Sequence, residues 1–87
     1  MKTIWKYPLV VIDAIQRLEG VPKGAVSVKV DSQLGGPCLW MLVDTDAQPE
    51  PRAFKVVGTG QRIPDNGWYV GSWQAPPFVW HLFEVRI

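Results

Sequence analysis

Apolar positions in this chain recur at intervals of two, in short runs separated by proline and glycine, and that pattern predicts strands. The clearest run is Ala25–Asp31, where Val26, Val28 and Val30 alternate with Ser27, Lys29 and Asp31. A strand built from it has one apolar and one wet face. Cys38 to Val43 is apolar on both faces, which predicts a central strand. Thr3–Leu9, Arg52–Val57, Trp68–Trp73 and Phe78–Ile87 read as further strands. Pro8 suits a strand end or an edge, because it has no amide proton to give to a neighbour.

Turn chemistry fills the gaps. Leu34-Gly35-Gly36-Pro37, Pro64-Asp65-Asn66-Gly67 and Gln74-Ala75-Pro76-Pro77 all reverse the chain. Asp44–Pro51 is too polar and too rich in proline to form a packed element. Leu9–Glu19 reads two ways. Val11, Ile15 and Leu18 have helical spacing with Gly20 as a C′ residue, whereas Ile12, Ala14, Gln16 and Leu18 have the spacing of a strand. The strand is favoured because its neighbours are strands that need partners, and a short helix over 10–19 is the alternative. The fold expected is all-β: a small antiparallel barrel or sandwich of six or seven short strands, forming a single domain over 1–87. There is no internal repeat.

Composition narrows the function. Hydrophobic residues make up 47% of the chain and charged ones 20%, which excludes a disordered polypeptide. Nine basic against eight acidic residues leave a net charge of +1, which argues against bulk nucleic-acid binding. A protein mimic of DNA is disfavoured for the opposite reason, since it needs a strongly acidic surface. No apolar run is long enough to span a membrane. The start of the chain, with Lys6 and Pro8 interrupting its apolar residues, does not read as a secretory signal. Cys38 is the only cysteine and His81 the only histidine, so no internal disulfide and no intrinsic zinc site are expected.

Catalytic chemistry is sparse. Cys38 lies in an apolar run and reads as a small buried hydrophobe, and nothing near it in sequence supplies an oxyanion hole for a Cys–His pair. Asp44-Thr45-Asp46 reads as a solvated turn ahead of a cation site. The chain is therefore expected not to be an enzyme and to need no cofactor. Gly58-Thr59-Gly60-Gln61-Arg62 is more suggestive. Its glycines let backbone N–H groups converge on an anion, Thr59 adds a hydroxyl, and Arg62 grips phosphate through two bonds. No helix follows, so it is not a P-loop, and a plain turn is the competing account.

Trp5, Trp40, Trp68, Trp73 and Trp80 are several times the usual share of tryptophan. Strands apolar on both faces cannot bury both in so small a domain, so some of these rings are exposed or covered by another subunit. A homo-oligomer is the economical explanation. Lys6, Arg52, Lys55 and Arg62 neighbour these aromatics in sequence, a mixture that suits a nucleobase and its phosphates.

Three stretches carry a resemblance. They are Met1-Lys2-Thr3-Ile4-Trp5-Lys6-Tyr7-Pro8-Leu9, then Pro37-Cys38-Leu39-Trp40 with Leu42-Val43-Asp44, then Val57-Gly58-Thr59-Gly60 with Ile63. Val79-Trp80-His81 with Phe83-Glu84 agrees as well. The chain resembles a family of small, uncharacterised proteins encoded by bacteriophages and prophages. That resemblance implies an accessory protein acting in the cytoplasm of a host bacterium, and no catalytic residue comes with it.

The functional expectation is a non-enzymatic counter-defence protein that sequesters a nucleotide-derived immune signal at a subunit interface. Trp5, Trp40, Trp68 or Trp80 would stack the base. Thr59, Gly60 and Arg62 would hold phosphate, Lys6, Arg52 and Lys55 would supplement the charge, and His81 is counted with the same set. An inhibitor that docks a host defence protein through an aromatic hot spot is the alternative. A virion assembly accessory using a sheet edge is the third.

Overall fold

A computed structural model describes all residues, Met1–Ile87, as seven strands and no helix. They are β1 (Lys2–Pro8), β2 (Gln16–Pro22), β3 (Val26–Gln33), β4 (Gly36–Asp44), β5 (Pro49–Gly58), β6 (Gly67–Ala75) and β7 (Phe78–Val85). Every pairing is antiparallel, and the strands form a three-stranded sheet in the order β1-β4-β3 and a four-stranded sheet in the order β2-β5-β7-β6. The short dimension of the molecule, 16 Å, fits two sheets packed face to face. This is a small all-β sandwich.

The run that is apolar on both faces, β4, is the centre of the smaller sheet. Leu39, Met41 and Val43 point inward and are fully buried. They meet Val21, Phe54, Val56, Trp73 and Leu82 from the larger sheet. The other face of β4 is uncovered, so Leu42 is 41% exposed and Trp40 half-buried.

The structure corrects the sequence reading at three places. Leu9–Ile15 is neither helix nor strand, and β2 begins only at Gln16. The Gln16 amide holds the irregular stretch in place: the Val10 N–H donates to Gln16 Oε1 at 3.0 Å, and Gln16 Nε2 donates to the Val10 carbonyl at 2.8 Å. Gly20, read as a helix end, instead sits at φ +73° inside a bulge between Leu18 and Val21, where an L-residue is strained.

The second correction concerns Val26, Val28 and Val30, which do not share a face. A bulge between Ser27 and Lys29 shifts the alternation. Val26 and Lys29 pair outward with Leu42 and Trp40, and only Val30 enters the core, so Val26 and Val28 are 57% and 52% exposed. Third, Asp44–Pro51 is not all loop, because β5 starts at Pro49. β7 pairs with β5 only from Ala53 onward, so Pro49 and Pro51 lie where β5 is unpaired on that side and their missing amide protons cost nothing.

The two sheets approach most closely where β3 passes β6. A Cβ added at Gly71 would lie 2.7 Å from Val30 Cγ1. Gly71→Ala is therefore expected to lower stability by about 1–3 kcal/mol through overpacking. Combining it with Val30→Ala should recover much of that loss in urea unfolding, whereas purely additive losses would show that the two positions do not meet.

Candidate functional site

The outer face of the four-stranded sheet carries the polar chemistry. Alternation along β7 sends Leu82 inward and leaves His81 and Phe83 outward. β5 brings Val57 opposite His81 and Lys55 opposite Phe83, and β6 brings Ser72 opposite His81 and Tyr69 opposite Phe83. Tyr69 and Ser72 share a face only because a bulge at Val70 inserts one extra residue between them.

These side chains form one hydrogen-bonded chain whose direction can be worked out. The Thr59 hydroxyl donates to the Val79 carbonyl at 3.3 Å, so toward His81 Nε2, 2.9 Å away, Thr59 Oγ1 acts as acceptor. His81 thus carries its proton on Nε2, and Nδ1 accepts from the Ser72 hydroxyl at 2.7 Å. Ser72 Oγ in turn accepts from the Tyr69 hydroxyl at 2.7 Å. Tyr69 also packs edge-on against Phe83, with ring centroids 5.8 Å apart. Ile63, Val57 and Thr59 close this group into a hollow of about 190 Å³.

Gln61 and Ile63 form a common wall with a larger, open hollow of about 680 Å³, bordered by Asp13, Ile15, Lys55, Arg62 and Asp65. Lys55 Nζ lies 2.9 Å from Asp13 Oδ1. That hydrogen bond, together with the ammonium charge, holds the Asp13 carboxyl below its ordinary pKa. Arg62 and Asp65 make a looser pair at 3.5 Å, with both side chains more than four-fifths exposed. Exposed pairs of this kind contribute about 0–1 kcal/mol, so an incoming anion displaces them cheaply.

Lys55, Thr59, Gly60, Arg62 and His81, all expected at the site, therefore gather around the turn after β5. Part of the backbone expected to cradle an anion there is already engaged. The Gly58 N–H donates to Gln61 Oε1 at 2.7 Å, the Gln61 N–H donates to the Gly58 carbonyl at 3.0 Å, and the Thr59 hydroxyl is already engaged. The cationic side chains bordering the larger hollow are Lys55 and Arg62. Trp80 lies on the far side of the same turn. Its ring is 3.1 Å from where a Gly58 Cβ would be, and with Phe78 it borders a further hollow of about 430 Å³.

The other expected residues lie elsewhere. Arg52 is withdrawn from ligand duty, because its guanidinium forms a two-bonded pair with Glu84 in the interior and its third nitrogen donates to the Ala25 carbonyl at 2.9 Å. Trp68, 48% exposed, stands opposite Glu84 at the end of the larger sheet, and Trp5 lies on edge strand β1 opposite Met41. Lys6 and Trp40 pair with each other on the outer face of the smaller sheet. The chain thus divides the residues of the expected pocket between two faces.

Sequence reasoning passed over Asp13, Gln61, Tyr69, Ser72 and Phe83. The bulge hid the Tyr69–Ser72 partnership, and the turn's self-pairing hid Gln61. No three or more His, Cys, Asp or Glu side chains cluster as metal ligands would. No curated protein and no solved structure matches the chain. The chain belongs to the protein family described as Domain of unknown function (DUF7352), whose model matches residues 1–87.

Proposed function

We propose that this chain is a binding module without turnover, and that a phosphate-bearing ligand of nucleotide type occupies the joined hollows around Gly58–Arg62. One observation carries the reading: Lys55 and Arg62 border a hollow that runs, past Gln61 and Ile63, into one walled by Tyr69 and Phe83. Cations at one end and aromatic rings at the other match phosphate and base. The resemblance to small phage and prophage proteins supports a setting in which such a protein sequesters an immune signal in the bacterial cytoplasm. The surplus of exposed aromatics supports a homo-oligomer.

Calorimetry against mono-, di- and cyclic nucleotides tests the site. Arg62→Ala is expected to weaken the best ligand at least tenfold while leaving the melting temperature in place, since Arg62 is 86% exposed. Asp13→Asn should strengthen the same ligand severalfold by removing the carboxylate that competes for Lys55. No binding by any nucleotide overturns the reading. Unchanged affinity in Arg62→Ala removes the turn from the site. Native mass spectrometry of protein purified from infected cells reports subunit count and any retained ligand together. A host polypeptide in place of a small molecule would make the chain a docking inhibitor.

A further inference from the structure

The outer face of the three-stranded sheet carries a second, separate constellation. Strand register places Lys6, Trp40 and Lys29 in one row, directly opposite one another on β1, β4 and β3. The adjacent row is Ile4, Leu42 and Val26, at 47%, 41% and 57% exposed. On the other side of Trp40 lie Asp31 and, one row beyond, Gln33. Lys29 Nζ sits 3.7 Å from Asp31, and Lys6 Nζ donates to Gln33 Oε1 at 3.1 Å. Both ammonium groups therefore lean away from the apolar row. The face has cations at one end, an indole in the middle and bare apolar surface at the other.

We infer that this face binds single-stranded nucleic acid: one base stacks on Trp40, its neighbour lies on Ile4–Leu42–Val26, and Lys6 and Lys29 take the flanking phosphates. Charge decides the occupant. A second copy docked about a two-fold axis lying in this face through Trp40 would set lysine against lysine, Lys6 and Lys29 meeting the same residues of the other copy, which opposes such a dimer. A duplex hides the base faces that the open side of the half-buried Trp40 indole would stack upon. A single strand offers both the phosphates and the flat rings. The near-neutral net charge is compatible, because only two phosphates are neutralised. The salt dependence must then be shallow, with a slope of log K against log salt of about −1.4, from roughly −0.7 for each phosphate.

The test uses fluorescence anisotropy of a labelled oligothymidylate on the whole protein. A Kd within about 10⁻⁴–10⁻⁶ M is expected, with the shallow slope. Trp40→Ala is expected to weaken binding about tenfold, the scale of one lost stacking platform. Lys6→Gln and Lys29→Gln alter exposed side chains, so they keep the fold even if Trp40→Ala does not, and each should reduce the slope by about 0.7. Flat anisotropy up to the weak end of that range overturns the inference, as do lysine variants that bind unchanged. Equal affinity for poly-glutamate would also overturn it, making the face a dock for acidic protein. Oligonucleotide binding that falls in Arg62→Ala but not in Trp40→Ala, Lys6→Gln or Lys29→Gln lies in the hollows around Gly58–Arg62 and overturns the inference.

Discussion

Glu84→Gln is expected to destabilise the protein by up to about 3–5 kcal/mol, because it leaves the largely buried Arg52 guanidinium with only the Glu50 carboxylate, 3.9 Å away, beside it. The pair lies inside the sandwich: side-chain exposure is 18% for Arg52 and 5% for Glu84. Arg52 Nη2 donates to Glu84 Oε1 at 2.8 Å, its Nε donates to the other carboxylate oxygen, and Nη1 reaches the Ala25 carbonyl that starts β3. The arrangement ties the larger sheet to the smaller one. The hydrogen bond to Glu84 raises the proton affinity of Arg52. A raised folded-state value means that Arg52's own titration removes stability only in strong alkali, as pH climbs through that value. A domain of this size has about 4–13 kcal/mol in all, so the single change takes away a large fraction. Urea unfolding should show the midpoint fall at constant slope. Arg52→Met with Glu84→Leu should recover most of the loss, because apolar side chains of similar volume replace such pairs at little cost. A Glu84→Gln loss below about 1 kcal/mol would mean that water reaches the guanidinium.

Trp73→Ala is expected to cost about 3–5 kcal/mol, while Trp68→Ala costs less than about 1 kcal/mol. The two tryptophans end the same strand run, five residues apart in sequence, and the bulge at Val70 puts both on one face of β6. Burial separates them: Trp73 is 4% exposed and packs in the central cluster, whereas Trp68 is 48% exposed. Removing the Trp73 indole leaves a cavity between the sheets that the surrounding strands cannot close. Each kcal/mol lowers the melting temperature of such a domain by about 4–8 °C, so thermal melts of the two variants should diverge widely. Equal melts would mean that Trp73 is not part of the interior. The same contrast bears on the surplus of aromatics. Only Trp73 is fully buried in the core, whereas Trp5 and Trp68 are 40% and 48% exposed.

Much of the fold was legible because local chemistry and global architecture agree. Prolines and glycines at short intervals limit every element to strand length, and the doubly apolar run became the centre of its sheet. The errors have one physical origin. A period of two assumes unbroken pleating, and bulges at Val28, at Glu19–Gly20 and at Val70 each change which residues share a face. The bulge at Val28 moved Val26 outward into line with Leu42, and the one at Val70 set Tyr69 beside Ser72 on the His81 face. Leu9–Ile15 was misread for another reason. Its apolar residues invite a regular element, yet the amide of Gln16 takes both the N–H and the carbonyl of Val10 in place of a strand partner.

The sequence alone determined the fold class, the near-neutral charge and the turn that follows the Arg52–Val57 strand, since these depend on residue type and local spacing. Only the tertiary structure decided which side each residue serves. It drew Arg52 inward to neutralise Glu84, put Lys6 and Trp40 on the sheet opposite the one that carries Lys55, and engaged the Gly58 amide with the Gln61 side chain. Burial, sheet pairing and hydrogen-bond satisfaction are long-range conditions, and no window of a few residues contains them.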